Sequence, residues 1–310
     1  MFSNNVIFYK VLLAILETFA YFAVGGFAVW RKYIPKEALP SLSRFTVNVL
    51  TPFLIFFSIT KNFSADDVDT LWIYPVAAFA MIVFHAICGL VLVWFLKHPE
   101  NGRKETFLHM MAVNNFLYLP LIVVSHLWGG KYIGAVMLWS VGSIIGQWTV
   151  GVAVMADGSF LRLLKNLFTT NILAVILAVI CVFCRWQLPP EAMMIIQKLG
   201  EMSIPLGMIL IGTSIFASGA KLLAIPGDMI FACVARLIII PLLTAGVLYF
   251  IKMPEMLRHL AVVVSVMPGA VASVLIVREF GGDSDFAGQL VLTTTCAGLF
   301  TLPLALSWLL

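Results

Sequence analysis

The chain has 310 residues, of which 62% are apolar and 11% charged, with 19 Lys or Arg against 15 Asp or Glu. Soluble domains carry roughly 25% charged residues, and a mean hydropathy of +1.04 leaves too little polar surface to coat a water-soluble body of this length. An ordinary soluble protein is excluded, and the solvent is lipid. A nucleic-acid partner is also excluded, because the basic residues form no stripe with interleaved aromatics.

A membrane-spanning helix needs about 20 mainly apolar residues. Ten such stretches follow in chain order: Val6 to Trp30, Leu39 to Thr60, Leu71 to Leu96, Thr106 to Leu127, Tyr132 to Met155, Leu167 to Cys184, Ala192 to Ala217, Pro226 to Ile251, Leu257 to Val277 and Phe286 to Trp308. A closed barrel would show segments of about ten residues with period-2 alternation, whereas Ile172 to Cys184 is apolar on every side. The connections, such as Arg31 to Lys36 and Lys97 to Lys104, are short and marked by charges and turn residues. They leave room for a single integral membrane domain. Val6 to Trp30 is too long for the apolar region of a signal peptide and ends in Arg31-Lys32 without a small-residue cleavage site, so it reads as the first span.

Lys and Arg in short loops stay cytoplasmic. The loops after odd-numbered spans hold Arg31, Lys32, Lys36, Arg44, Lys97, Arg103, Lys104, Arg162, Lys165, Lys221 and Arg278; the other side holds Lys61, Lys131, Arg185, Lys198, Lys252 and Arg258. Both termini are therefore expected on the non-cytoplasmic side of the plasma (inner) membrane. Trp30, Tyr33, Trp72, Tyr74, Trp94, Trp128, Tyr132 and Trp186 fall near span ends, where amphipathic rings favour the interface. The five cysteines, Cys88, Cys181, Cys184, Cys233 and Cys296, lie inside apolar spans and read as small packing residues. No metal or cofactor is expected.

An internal repeat shows in spacing. Pro52 in the second span and Pro120 in the fourth are 68 residues apart; Pro205 in the seventh and Pro268 in the ninth are 63 apart. Each set of five spans thus repeats one plan, and because five is odd the second set enters the membrane from the opposite side. The expected organisation is a first repeat over 1–155, a cytoplasmic connecting loop over 156–165 and a second, inverted repeat over 166–310.

A proline within a helix withdraws the N–H that would bond the carbonyl four residues back, so Pro120 and Pro268 free the carbonyls of Phe116 and Val264. At mid-bilayer such groups need partners from protein or water. A span broken at each proline gives a half-helix starting there, whose first N–H groups and positive dipole end can hold an anion. Asn114, Asn115, Tyr118 and Pro120, with Ser265, Pro268 and Gly269, are the expected substrate-binding residues.

The stretch Met267-Pro268-Gly269-Ala270-Val271-Ala272-Ser273, followed by Arg278-Glu279-Phe280-Gly281-Gly282-Asp283, by Thr293-Thr294-Thr295 and by Leu302-Pro303, resembles the C-terminal signature of the auxin efflux carrier family. The likeness extends to Leu50-Thr51-Pro52-Phe53-Leu54-Ile55-Phe56-Phe57 and to the Pro120 segment, and so covers the whole chain. It implies an all-α integral membrane protein of ten transmembrane helices, built as two inverted five-helix repeats with broken, crossing helices 4 and 9. It also implies efflux or exchange of organic anions such as auxin or small carboxylates, with elevator-like movement of the crossing bundle against the first two spans of each repeat. The family's fourth span usually reads Asn-x-Gly-Phe-Leu-Gly-x-Pro; here Val113 takes the Asn place, and Asn115 and Tyr118 take the two Gly places.

Polar groups within spans usually face the interior or a cavity. Asn48, His85, Ser143, Gln147, Glu201 and Arg236 are further candidates for the cavity or for coupling. Arg236 is expected either to draw anions inward or to pair with a carboxylate such as Glu17; His85 titrates near neutral pH and suits proton coupling or plain packing. Enzyme motifs are missing: there is no H-E-x-x-H, G-x-S-x-G or P-loop, and Gly281-Gly282-Asp283, which resembles an aspartyl-protease loop, lacks a partner Asp in another span. The expected partners are a small organic anion, membrane lipid, H+ or Na+ as coupling ion, and a second copy of the chain as a homodimer. Two alternatives stay open, a non-transporting membrane sensor using the same pocket and a sodium-coupled organic anion symporter.

Overall fold

The computed structural model describes residues 4–97, 102–155, 169–217 and 227–310. The expected connecting loop 156–165 with Arg162 and Lys165, the loop residues 98–101, Lys221, and the span ends Leu167 and Pro226 lie outside the described residues. Among the described residues every regular element is helical, apart from one isolated two-residue bridge. In chain order these are α1 (Asn4–Trp30), α2 (Leu39–Asn62), α3 (Asp69–Phe95), α4 (Arg103–Ala112), α5 (Tyr118–Leu127), α6 (Gly130–Gly151), α7 (Thr170–Phe183), α8 (Pro190–Ser214), α9 (Gly227–Phe250), α10 (Glu255–Ser265), α11 (Val271–Glu279) and α12 (Ser284–Leu309).

Seven of them, α1, α2, α3, α6, α8, α9 and α12, are long and apolar enough to cross a membrane. Helix α7 has 14 residues, and α4, α5, α10 and α11 have 10, 10, 11 and 9. At 1.5 Å per residue these last four each cover about 15 Å, half of a bilayer core. The stretch Thr106 to Leu127 is therefore two half-helices, α4 and α5, and Leu257 to Val277 is two more, α10 and α11.

Helix α1 packs along α8, α12 and α5; α2 packs along α7 and α8; α3 lies against α6 and α4. In lipid, helices gain no hydrophobic drive toward one another, so they approach through small residues. A Cβ on Gly25 of α1 would stand 2.2 Å from the Ile209 carbonyl oxygen of α8, and one on Gly212 would stand 2.6 Å from the Phe22 oxygen. Large apolar side chains face outward, Trp30, Trp94, Tyr249, Phe250 and Trp308 among them, as lipid contact requires. Cys88 and Cys181 are buried, but Cys184 and Cys296 are exposed and none of the five is bridged, so the packing role expected for all five is corrected for those two: they lie on outward faces.

The ends of the bundle are tied by polar contacts. Arg103, at the start of α4, lies 3.2 Å from Asp283 and 3.8 Å from Asp228, and Asp283 caps α12 by accepting the Phe286 N–H at 2.9 Å. The aspartyl-protease-like loop is thus a helix cap. At the other end Asp67 accepts the Ser64 N–H at 2.9 Å and the Lys131 ammonium at 3.0 Å, which holds its carboxyl below the usual range. What these contacts contribute to stability is present above the ordinary carboxylate pKa and is lost as pH falls through the lowered one.

Candidate functional site

The two half-helix pairs meet at their breaks. Helix α4 ends at Ala112 and the chain turns extended at Val113 (φ −111°, ψ 126°); α10 ends at Ser265, and the chain is extended again at Ala270 (φ −80°, ψ 133°) before α11. Asn114 and Gly269 form an antiparallel bridge, and the Asn115 N–H donates to the Pro268 carbonyl at 2.9 Å. Irregular backbone at membrane depth is tolerated only where protein or a water-filled cavity satisfies it, and here each break supplies partners to the other. A Cβ on Gly269 would come within 2.8 Å of the Met110 methyl, which would have to swing aside; the Gly269 N–H donates to Thr294 Oγ1 at 3.2 Å.

Neither proline begins a half-helix, which corrects the expectation. Helix α5 starts at Tyr118, so Pro120 is its third residue, a place in the first turn where a missing N–H costs nothing. Helix α11 starts at Val271, three residues after Pro268. Pro268 instead leaves the Val264 carbonyl without an i→i+4 donor, and that oxygen accepts from the Met267 N–H at 3.2 Å and from the Asn114 side-chain amide. Asn114 thereby adds a second donor, reaching from one break to the end of α10 at the other.

Arg236 is fully buried, in a wide i→i+5 turn of α9 over residues 235–239. Its Nε donates to the Met267 carbonyl at 3.1 Å, Nη1 to Met111 at 2.9 Å and Nη2 to Ser265 at 3.0 Å. One guanidinium thus holds the carbonyls at the C-terminal ends of both α4 and α10, where the helix dipoles are negative. The pairing with Glu17 is corrected: Glu17 accepts from the Tyr21 hydroxyl at 2.9 Å and faces His126 Nε2 at 3.3 Å. The Ser265 hydroxyl turns back to the Val262 carbonyl at 2.8 Å.

The opposite ends are open. Neither α5 nor α11 has a side-chain N-cap, so the first-turn N–H groups of Tyr118, Leu119, Val271 and Ala272 have no capping oxygen. On this side Asn115, Phe116, Leu117 and Tyr118 are half-buried and Ala272 is exposed, whereas 266–270 is wholly buried. The Tyr118 hydroxyl pairs with Thr51 Oγ1 of α2 at 3.0 Å, and its ring covers Gly207 of α8, where a Cβ would meet Cε1 at 2.9 Å. Tyr118 therefore bridges the break to α2 and α8.

The structure gathers Asn114, Asn115, Tyr118, Pro120, Ser265, Pro268, Gly269 and Arg236 around one junction. Among the described residues, none of Asn48, His85, Ser143, Gln147 and Glu201 hydrogen-bonds to either break. His85 Nε2 is 3.0 Å from Thr244 Oγ1, buried between α3 and α9; Ser143 and Gln147 are buried in α6; Asn48 is exposed on α2; Glu201 is exposed and accepts from Gln197 at 2.6 Å. Sequence reasoning missed Thr51 and Thr294 as partners of the junction, although Thr51 precedes Pro52 and Thr294 lies in the Thr293-Thr294-Thr295 run. A separate cavity of about 560 Å³ is lined by Ile7, Trp128, Tyr132, Glu255, Met256, His259 and Leu310, away from the breaks.

A family model described as "Membrane transport protein" matches residues 10–160 and 158–306. An "Uncharacterized transporter" of Methanothermobacter thermautotrophicus is 25% identical over 274 residues, which is 87% of this chain and 88% of that protein. A second protein described as an uncharacterized transporter, from Methanocaldococcus jannaschii, is 23% identical over 291 residues, covering 91% and 93% of the two chains.

Proposed function

The chain belongs to the auxin efflux carrier-like membrane transport protein family, and from that starting point we propose that it is a secondary carrier of small organic anions, carboxylates above all. The proposed architecture is ten crossings in two inverted halves: α1, α2, α3, the interrupted pair α4 and α5, and α6; then α7, α8, α9, the interrupted pair α10 and α11, and α12. The packing of α1 on α8 and of α2 on α7 supports it, because a pseudo-two-fold that exchanges the halves turns the one contact into the other. In this reading α1, α2, α7 and α8 are the scaffold, the remaining helices move against it in elevator fashion, and both termini face away from the cytoplasm.

The observation that carries the anion assignment is the asymmetry of the junction. Arg236 occupies the two negative helix ends, while the two positive ends are uncapped. Each free N-terminus is equivalent to roughly half an elementary charge, so α5 and α11 together suit one anionic group. Asn115, half-buried beside them, supplies an amide for a carboxylate, while the Tyr118 hydroxyl donates to Thr51 Oγ1, which itself donates to the Thr46 carbonyl.

Thermal-shift titration of the purified protein with a panel of mono- and dicarboxylates tests this, since a ligand of the folded state raises the melting temperature. At least one carboxylate should give a saturable rise that the corresponding uncharged amide does not give. Asn115→Ala should weaken its midpoint about tenfold, the equivalent of about 1.4 kcal/mol. A panel without any shift, or a shift unchanged in Asn115→Ala, would refute the assignment.

A further inference from the structure

We propose that Arg236 is a built-in cation, holding the place between the two half-helix C-termini that a mobile coupling cation would otherwise take, so that this carrier binds its anion without sodium. The inference rests on the anion-carrier reading for its transport consequence, but its geometry stands apart from that reading.

Three backbone carbonyls, from Met111, Ser265 and Met267, converge from two separate chain segments on one guanidinium at 2.9 to 3.1 Å. In carriers with discontinuous spans, unwound carbonyls and half-helix C-terminal ends are the groups that coordinate Na+ or H+. Here each of those oxygens is already bonded to a nitrogen of a side chain that stays charged at any physiological pH. Arg236 is fully buried, and burial of an unpaired charge is costly unless it is hydrogen-bonded. The three ligands that offset this cost are neutral carbonyls, so the positive charge is not cancelled by a carboxylate and adds to the field felt at the uncapped N-termini of α5 and α11.

Tethering decides the competition. A cation fixed to α9 is present at an effective concentration in the millimolar range or above, with three hydrogen bonds already aligned, and external sodium must displace it to bind. The planar fork also fixes distance: it links the end of α4 to the end of α10 in one geometry, which a spherical ion would do only while bound. Arg236 sits within the wide turn at 235–239 of α9.

The test uses the full-length protein in detergent, with melting temperature as the readout and no carboxylate present. Wild type should melt at the same temperature in NaCl and in choline chloride of equal ionic strength. Arg236→Gly should melt lower and recover at least half of the loss, saturably, with millimolar guanidinium or Na+ but not with choline. Arg236→Lys, which keeps a cation on a similar stem, should retain most of the stability and stay indifferent to sodium. A saturable sodium-specific rise in wild type overturns the proposal, as does Arg236→Gly melting like wild type or failing to respond to either cation. Should Arg236→Gly not fold, the wild-type and Arg236→Lys arms still decide, since sodium dependence in either contradicts a built-in cation. Failure of the anion reading is seen separately, as the absence of any carboxylate-induced shift.

Discussion

Asn114→Leu is expected to destabilise the protein by about 0.5–1.5 kcal/mol, the net contribution of one buried hydrogen bond, and to abolish the thermal shift given by carboxylates. The side chain is nearly the same size and Asn114 is 2% exposed, so little of the loss can come from a cavity. What disappears is the hydrogen bond from one break to the Val264 carbonyl of the other, which keeps only the i→i+3 bond from the Met267 N–H because residue 268 is a proline and has no N–H. The same argument predicts coupling. Pro268→Ala restores an N–H four residues after Val264, which reaches that carbonyl once α10 gains a turn, so the double variant Asn114→Leu with Pro268→Ala should be more stable than the sum of the single effects predicts, by an interaction energy within the range of about 0.5–3 kcal/mol seen for residues in contact. Strict additivity in chemical or thermal unfolding would show that the two residues do not share that carbonyl.

Gly142→Ala should be at least as damaging, by a different route. A Cβ at this position of α6 would stand 1.8 Å from the Pro75 carbonyl oxygen and 2.8 Å from its Cα, both in α3. Backbone atoms cannot rotate away as a side-chain tip can, so the two helices must part along their contact. Overpacking commonly costs about 1–3 kcal/mol and occasionally more, and a backbone-to-backbone clash belongs at the upper end. Gly246→Ala in α9 is the internal control, because nothing lies within 4 Å of the new methyl; removing a mid-helix glycine there should be neutral or stabilising by up to about 1 kcal/mol. Melting temperatures of the two variants in the same detergent check the contrast, and equal behaviour would mean that α3 and α6 are not as close as described.

How much of this was legible in the sequence depends on the range of the interaction. Lipid as solvent follows from composition, and the long helices follow from runs of apolar residues. The interrupted pairs were signalled by Pro120 and Pro268 with their Asn and Gly neighbours. Their register was not: the helix after Pro120 starts two residues earlier because proline fits a first turn, a choice that depends on where the preceding backbone finds partners. Arg236 was read as a charge that either draws anions inward or pairs with a carboxylate. Its actual partners are carbonyls of residues 125, 29 and 31 positions away, and a carbonyl carries no sequence signature. The same holds for the Asn114 contact with Val264, 150 residues distant, and for Tyr118 with Thr51, where only the polar character of each residue in an apolar span gave a hint.

Net flux is the most direct test of a carrier built on this junction. Wild-type protein in proteoliposomes, in sodium-free choline medium with an outward-to-inward gradient of the carboxylate that gives the largest thermal shift, should show saturable uptake. That uptake should be reduced about tenfold in Asn115→Ala at the sub-saturating concentration and be absent from protein-free vesicles. Saturable binding of the same carboxylate with no net flux above that of empty vesicles would contradict the account and make the junction a receptor site.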